Sequence, residues 1–276
     1  MDKVTTAKET RTGWSIMDRL MIAKIARTRW SITVRAVRIG TALAALLVTC
    51  GVYAASSIEL EPAGNDPDNI KSLQQGAANF MNYCAGCHSA KYVRFNTLAR
   101  DLELNEDQLV ENLMFNAEKT FETIQATMPL DDAARWFGQP PPDMSLMARA
   151  RGTDYVYNFI TGFFIDPDSP TGVDNRVLEG TSMPHVLWEL QGYQNAIYHD
   201  DENGNPVIER LEQATEGTMS GEQFKEFARD TANFLEYIGE PIRSTRRVLG
   251  VWVLMFLIVF WIIASMLKKQ IWKDVT

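Results

Sequence analysis

The longest apolar segment of the chain lies near its C-terminal end. Residues 248–267 read VLGVWVLMFLIVFWIIASML and contain no charged residue. At a rise of 1.5 Å per residue, about 20 apolar residues cross the hydrocarbon core of a bilayer. Trp252 and Trp272 stand where interfacial aromatic residues are expected. The pattern predicts a transmembrane anchor over residues 248–267 and a short cytoplasmic tail over residues 268–276.

A shorter apolar run lies at the other end of the chain. Residues 39–53 follow a stretch rich in arginine and precede the small residues Ala54 and Ala55. A run of about 15 residues is short for a bilayer span, and this order of segments is typical of an export signal. We expect residues 1–54 to be a basic signal peptide that is cleaved near Ala54 or Ala55. An uncleaved anchor and a later start methionine remain open.

Two amphipathic segments predict helices at the two ends of the body between these runs. Asp68 or Asn69 can cap a helix over residues 70–84, and Ser220 with Gln223 forms a capping-box signature for a second helix. Pro241 ends the second helix. Apolar residues recur at helical spacing in both segments. The first stripe comprises Leu73, Ala77, Phe80, Met81 and Cys84, and the second Phe224, Phe227, Ala228, Thr231, Phe234, Leu235 and Ile238.

Charge divides the chain into the same three parts. Residues 1–54 carry a net charge of +6, residues 55–240 a net of -19 and residues 241–276 a net of +5, which gives -8 in all. So acidic a body argues against a nucleic-acid partner. Basic residues are equally numerous before and after the C-terminal span, so their distribution does not decide how the span is oriented. The predicted export signal does decide it, because it places residues 55–247 outside the cytoplasm.

One motif in the body carries strong chemical meaning. Cys84-Ala-Gly-Cys87-His88 is the C-x-x-C-H pattern of c-type haem attachment. Two thiols at this spacing can form thioethers with the two vinyl groups of one porphyrin, and the next residue is the proximal iron ligand. A redox-active dithiol would need a thioredoxin-like βαβ setting, and a zinc ribbon would need a second ligand pair. The third cysteine, Cys50, falls in the predicted leader.

We therefore predict one covalently bound haem c in an exported domain over residues 55–247. Two amphipathic helices that bracket such a site predict a mainly α fold, a small helical domain with long loops like that of c-type cytochromes. The terminal helices of such a domain pack on each other.

The sixth iron ligand must come from a second segment. Met183 is favoured because Gly180 and Pro184 hold its loop in a fixed, non-helical path, and a Met ligand raises the haem potential. Met128 before Pro129 is a similar alternative, and His185 would give a bis-His haem of lower potential. The other methionines and histidine of the body, which are more often core residues than ligands, are Met81, Met114, Met144, Met147, Met219 and His199.

The chain resembles the cytochrome c1 family, the haem c subunit of the quinol:cytochrome c reductase (cytochrome bc1) complex. The resemblance covers nearly the whole mature chain and rests on segments that occur in a specific order. They are Tyr83–Ser89 with its C-x-x-C-H motif, residues 91–96, Gln139-Pro-Pro-Pro-Asp-Met-Ser145 with its continuation to Arg151, Asp154–Tyr157, Gly180-Thr-Ser-Met-Pro184 and the single C-terminal span.

The resemblance implies roles for individual residues of the site. Met183 matches the axial methionine, and Arg149 matches a basic residue that pairs with a haem propionate. Pro141, Pro142 and Tyr155 match residues that line the haem pocket. A propionate brought into an apolar pocket needs a charged partner, and arginine can hold a carboxylate through two hydrogen bonds.

The resemblance also implies a function and a set of partners. The protein would pass single electrons from a Rieske iron–sulfur protein to soluble cytochrome c, in a dimeric complex with cytochrome b. It would be a single-pass protein of the bacterial inner membrane with its haem domain on the periplasmic side. The acidic body, with clusters over residues 101–122 and 200–216, suits a cationic cytochrome c.

Two other functions remain open from the sequence. One is a stand-alone, membrane-anchored cytochrome c that donates electrons to a terminal oxidase. The other is a haem-based ligand sensor, which would need an open or labile sixth iron site that Met183 argues against.

Overall fold

Helices make up most of the regular structure of this protein, which is known from a computed structural model that describes residues 59–201 and 204–274. The predicted mainly α fold with long loops is confirmed. The helices are α1 (Ile70–Tyr83), α2 (Phe95–Asp101), α3 (Glu106–Asn112), α4 (Leu130–Phe137), α5 (Met147–Arg151), α6 (Thr153–Thr161), α7 (Trp188–Gln191), α8 (Gly221–Gly239) and α9 (Arg243–Ile271), followed by a 3-10 turn at Trp272–Asp274.

The strands are short and pair only with one neighbour each within the described ranges. All three pairs are antiparallel. They are β1 (Ala90–Arg94) with β2 (Thr123–Ile124), β3 (Phe163–Ile165) with β4 (Val173–Asn175), and β5 (Gln194–Asp200) with β6 (Pro206–Gln213). The β5–β6 pair forms an exposed hairpin whose first strand contacts β3. The strands therefore arrange loops around a helical core rather than form a common sheet.

Side-chain caps fix the starts of both predicted terminal helices. The Oδ1 atom of Asn69 accepts a hydrogen bond from the backbone N–H of Ser72 at 3.2 Å, so Asn69 is the cap of α1. Ser220 and Gln223 form the predicted capping box at α8, with reciprocal bonds of 3.3 and 2.9 Å. α8 ends at Gly239, before Pro241. The sequence prediction of both helices is confirmed.

The core of the body lies between α1 and α8. Gly76 of α1 comes so close to α8 that a Cβ atom there would lie 2.0 Å from the carbonyl oxygen of Asp230. One turn further along α1, the rings of Phe80 and Phe234 meet with their centroids 5.7 Å apart, and both side chains are fully buried. The apolar stripes read from the sequence therefore face each other, and α1 is held on α8 along its length.

The last long helix differs from all the others in its exposure. α9 contains the predicted anchor over residues 248–267 and is long and apolar enough to cross a membrane. None of its residues is buried against the rest of the described chain. An apolar surface of this length needs a nonpolar surrounding, which fits a transmembrane position.

The predicted signal peptide lies outside the described residues. The same holds for the cleavage site near Ala54 or Ala55 and for Cys50. These points stay predictions.

Candidate haem site

The C-x-x-C-H motif forms a tight turn at the end of α1. The backbone N–H of Cys84 still donates to the carbonyl of Phe80, at 2.9 Å, so the first cysteine caps the helix. The N–H groups of Cys87 and His88 then both donate to the carbonyl oxygen of Cys84, at 3.0 and 2.8 Å. The buried helix α1 therefore holds two thiols and one imidazole within one turn of chain.

The surroundings of the two thiols favour the protonated form. Both cysteines are free and partly buried. Burial, with a smaller contribution from the neighbouring Cys87, raises the pKa of the Cys84 thiol to about 12. Burial also raises the pKa of Cys87. Redox-active C-x-x-C pairs have lowered thiol pKa values, so this environment disfavours that alternative.

One hydrogen bond decides which nitrogen of His88 can bind a metal. The Nδ1 atom lies 2.8 Å from the carbonyl oxygen of Pro142. A carbonyl only accepts, so Nδ1 carries the proton and Nε2 keeps its lone pair. Burial lowers the pKa of His88, which favours the same neutral ring. A backbone carbonyl on the second nitrogen is how metal-binding histidines are commonly oriented.

Hydrogen bonds of Asp143 and Ser145 fix the position of Pro142. The carboxylate of Asp143 accepts from the backbone N–H of Lys91, at 3.0 Å, and from that of Ser145, at 3.0 Å. The fully buried hydroxyl of Ser145 accepts from the backbone N–H of Tyr92 at 3.2 Å. These bonds tie the proline segment to the chain directly after His88. The sequence showed this segment as a family motif, but it did not show that Asp143 and Ser145 hold it in place through hydrogen bonds.

Met183 lies half-buried in the irregular segment between β4 and α7. Gly180 at the start of this loop has φ +71, a left-handed conformation that glycine adopts without penalty. The buried carboxylate of Asp174 accepts from the backbone N–H groups of Gly180 and Thr181, at 3.0 and 3.2 Å. The Thr181 hydroxyl is 3.4 Å from the N–H of Met183. Asp174, which belongs to no motif recognised in the sequence, therefore holds the loop in place from the buried side.

The far side of the same loop is fixed by aromatic packing. His185 is buried and stacks on Phe163, with ring centroids 5.0 Å apart. Its Nε2 atom lies 3.2 Å from the carbonyl oxygen of Gly192. Burial lowers the pKa of His185, which favours the neutral ring. The alternative ligand His185 thus already has a structural role in the described fold.

Helix α8 connects the Met183 loop to the C-x-x-C-H turn. Leu187 and Leu190, just after the loop, pack in one buried cluster with Phe224 and Phe227 of α8. The rings of Phe227 and Tyr83, the residue before Cys84, meet nearly at right angles with their centroids 5.4 Å apart. The two segments that the sequence proposed as ligand-bearing are therefore packed on the same helix.

The remaining methionines and histidine divide by their surroundings. Met128 donates its backbone N–H to the carbonyl of Gly86 at 3.1 Å, which places it beside the C-x-x-C-H turn. Met81 and Met114 are buried in the main core. His199 is exposed on the β5–β6 hairpin. Met144 has a similar backbone bond, from its N–H to the carbonyl of Ser89 at 2.7 Å, directly after the motif. Met144, Met147 and Met219 are partly buried residues packed against the hydrophobic clusters.

The predicted pocket residues lie on two neighbouring stretches of chain. Pro141 is half-buried, and Pro142 is exposed but for the carbonyl on His88. Tyr155 of α6 is half-buried and stacks on Phe159 at 6.3 Å.

The arginines of this region have different neighbours. Arg149 is exposed and forms an ion pair with Glu240, at the end of α8. The guanidinium of Arg151, which the sequence did not single out, lies 5.5 Å from the ring centroid of Tyr155. The proposed contact of Arg149 with a propionate stays a prediction.

The donor set fits a c-type haem. Two free thiols and a neutral imidazole with an available Nε2 come from one turn, as covalent attachment and proximal ligation require. In the described part of the chain no group of three or more His, Cys, Asp and Glu side chains could hold a metal ion by itself.

Comparison with known proteins gives a consistent picture. Residues 66–275 match the sequence profile of the cytochrome C1 family. The chain is 43% identical over 218 residues to cytochrome c1 of Allochromatium vinosum, covering 78% of this chain and 89% of that protein. It is 37% identical over 218 residues to a Nitrosomonas europaea protein named ammonia monooxygenase gamma subunit, covering 79% and 89%. Identity to mitochondrial cytochrome c1 of Saccharomyces cerevisiae is 26% over 223 residues, covering 74% and 67%.

Proposed function

Because the chain belongs to the cytochrome c1 family, we propose that it passes single electrons from a Rieske iron–sulfur protein to a soluble cytochrome c. Family membership confirms the resemblance read from the sequence. Members carry one covalently bound haem c and are electron-transfer subunits of an oxidoreductase, the cytochrome bc1 complex. The observation that carries the proposal is the contact of His88 Nδ1 with the Pro142 carbonyl, which frees Nε2 beside two thiols.

Three residues of one turn would hold the cofactor. Cys84 and Cys87 form the thioether bonds, and His88 binds the iron through Nε2 while the carbonyl of Pro142 keeps its ring in place. The haem supplies a one-electron oxidation and reduction at its iron. No bond of a substrate is made or broken by this subunit. Because the turn caps the buried helix α1, the ligand geometry can stay the same in both oxidation states.

Met183 is proposed as the sixth ligand. Its loop is fixed at one end by the buried carboxylate of Asp174 and at the other by the stack of His185 on Phe163. A loop held on both sides can present a thioether without a large loss of conformational entropy on binding. A methionine ligand raises the haem potential, as an acceptor of electrons from a Rieske centre needs.

The remaining site residues are proposed to surround the cofactor. Pro141, Pro142 and Tyr155 would line the pocket, and Arg149 would pair with a propionate. Arg149 is paired with Glu240, so Arg151, with its guanidinium over Tyr155, is a rival for the propionate.

The electron acceptor is proposed to dock through the acidic body. Carboxylates of both predicted clusters lie on the surface, among them Glu106, Asp107 and Glu111 of α3 and Glu209 and Glu212 of β6. The net charge of -19 over residues 55–240 would attract a cationic cytochrome c over long distances.

The membrane position follows from α9 and from the proposed export signal. α9 would cross the inner membrane of a bacterium once, with residues 55–247 in the periplasm and residues 268–276 in the cytoplasm. Cytochrome b and the Rieske protein would be its partners in a dimeric complex. This arrangement brings the haem domain close to the membrane surface from which electrons arrive.

Purification of the full-length, haem-loaded protein from its membrane in a mild detergent tests the proposal. We expect a b-haem protein and a Rieske protein to co-purify and the preparation to reduce soluble cytochrome c with a quinol. Recovery with a terminal oxidase, and without a b-haem quinol-oxidising partner, would instead support a stand-alone cytochrome. Binding of carbon monoxide to the wild-type ferrous haem would support a ligand sensor.

A further inference from the structure

A cleft lies where the haem domain meets the start of α9. It has a volume of about 610 Å³ and is lined by residues of the segment before α1, of α5 and α6, of the end of α8 and of the first turns of α9. Its charged lining consists of Arg149, Arg243, Arg246, Arg247, Asp154, Glu236 and Glu240. Neither the C-x-x-C-H turn nor the Met183 loop contributes to the lining, and Arg149 is the one lining residue that the proposed haem site also uses.

The carboxylates of the cleft already have partners. Glu240 accepts from Arg246 at 2.5 Å and also pairs with Arg149. Glu236 pairs with Arg243. Two glutamates are therefore shared by three arginines.

The other bonds of these acids leave little capacity for a further cation. Glu236 also accepts from Asn65 at 2.6 Å and from the hydroxyl of Thr153 at 2.7 Å. Asp154 accepts from the backbone N–H of Ala63 at 2.8 Å. With its acids engaged, the cleft has positive charge and N–H donors in excess.

Arg247 is the donor without a partner. Its side chain is exposed and forms no ion pair or hydrogen bond within residues 59–201 and 204–274. Its planar guanidinium offers paired N–H donors that match the oxygens of a phosphate. Arg246, one residue earlier, has most of its side chain exposed as well, 58%. The N–H donors that remain available in the cleft therefore suit an anion.

The sequence after Arg247 indicates which anion. The uncharged, fully exposed apolar surface of α9 begins at Val248, so the cleft lies at the headgroup level of the membrane that α9 would cross. A phospholipid placed there can lay its acyl chains along α9 while its phosphate reaches the arginines. A free anion lacks that apolar contact.

We propose that this cleft binds the phosphate of an anionic phospholipid in the leaflet on the haem-domain side, with Arg247 as its main donor. The inference rests on the membrane placement of α9 in the proposed function, but it does not depend on electron transfer. The lipid would hold the haem domain at a set height and angle over the membrane, because the cleft joins α5, α6 and α8 to α9.

Lipid binding to the full-length, haem-loaded protein, delipidated in detergent, tests the proposal by native mass spectrometry. We expect phosphatidylglycerol to bind with saturation and phosphatidylcholine to bind much more weakly. Arg247→Gln should weaken phosphatidylglycerol binding about fivefold, the factor for one basic residue at a membrane surface. Arg247→Lys should retain most of it. The matched control Arg210→Gln removes the same charge from the exposed β6 strand, outside the cleft, and should change nothing.

Each other result would overturn the proposal. Equal binding by wild type and Arg247→Gln would exclude the cleft, and an equal loss in Arg210→Gln would mean a diffuse charge effect. Displacement of the lipid by inorganic phosphate at equal concentration would mean a site for a free anion. Resistance of the protein to extraction by alkaline carbonate tests the membrane placement separately, so its failure is distinguishable from failure of the lipid site.

Discussion

The chemistry of the site depends on a few main-chain hydrogen bonds. A single carbonyl, that of Pro142, sets the tautomer of His88 and thereby leaves Nε2 as the atom that would bind the iron. The Met183 loop depends in the same way on the buried Asp174 carboxylate. Buried polar groups of this kind are costly to leave unpaired, so these hydrogen bonds persist and restrict the motion of the proposed ligands.

Replacement of the proposed sixth ligand has a specific expected result. Met183→Leu should keep its covalent haem, because Cys84, Cys87 and His88 are unchanged. Its potential should fall by more than about 100 mV, well within the roughly 0.8 V that axial ligands span. For one electron, about 59 mV corresponds to a factor of ten, so uptake from the Rieske centre becomes uphill. A redox titration and carbon monoxide binding measure both effects.

The matched control for this experiment is Met128→Leu, which should leave the potential and the carbon monoxide response as they are. The assignment is wrong if Met183→Leu keeps its potential and excludes carbon monoxide while Met128→Leu or His185→Ala changes both.

The propionate partner can be tested by comparing two arginines. Removing a positive charge near the haem stabilises the oxidised form, so Arg149→Gln should lower the potential if Arg149 contacts a propionate. Arg151→Gln is the comparison, because its guanidinium lies over the predicted pocket residue Tyr155. A lowered potential in Arg151→Gln alone would move the role to Arg151. No change in either variant would contradict a propionate contact from this segment.

The terminal helices show how far the hydrophobic pattern alone reaches. Caps, boundaries and buried stripes of α1 and α8 were all readable, because each depends on residues close together in sequence. Their close approach at Gly76 was not, since it requires the backbone of Asp230, more than 150 residues away. The bonds from the Asn79 amide to the Phe227 carbonyl and the Thr231 hydroxyl, both at 3.2 Å, are of the same long-range kind.

The site follows the same division. The C-x-x-C-H turn and the loop of Met183 between Gly180 and Pro184 were recognised from local pattern, and the ligand roles of their residues stay predictions. The roles of Asp143, Ser145 and Asp174 were not predictable from the sequence. The residues around a polar side chain do not show from which distant N–H group it accepts a hydrogen bond. The ion pair of Arg149 with Glu240 was not predicted for the same reason, because its two partners are far apart in the sequence.

Close packing of α1 on α8 makes Gly76 a sensitive position. Gly76→Ala would place a methyl group against the backbone of Asp230, so the helices must separate at a cost of about 1–3 kcal/mol. We expect thermal unfolding of the haem-loaded protein to shift down by several degrees. Gly221→Ala, at the first position of α8 with open space around it, is the control and should not destabilise. Equal unfolding temperatures for Gly76→Ala and wild type would refute the tight helix contact.

The described residues form an acidic body followed by the apolar helix α9, which has basic residues at both ends. This charge division, readable from the sequence, would steer a cationic partner to the body and keep anionic lipids near the arginines of α9. Because the negative and positive charges lie on different parts of the chain, one part could bind a soluble protein while another contacts the membrane surface.

Electron transfer to a cationic cytochrome c should depend strongly on salt. Raising the ionic strength from 0.01 to 0.15 M shortens the Debye length from about 30 to about 8 Å. We expect the second-order rate constant to fall at least about tenfold over this range. Replacing Glu106, Asp107 and Glu111 by their amides should flatten this dependence, whereas the rate with an uncharged oxidant should not respond to salt. A rate with cytochrome c that is insensitive to salt would contradict acidic docking.

Rapid mixing of the detergent-purified complex with a quinol tests the central claim most directly. The absorbance of the ferrous c-type haem is followed in time, with the b-type haem as an internal reference. The account predicts that the haem held by Cys84, Cys87 and His88 is reduced by the quinol and reoxidised when ferric cytochrome c is added. A c-type haem that stays oxidised while the b-type haem of the same preparation becomes reduced would contradict it.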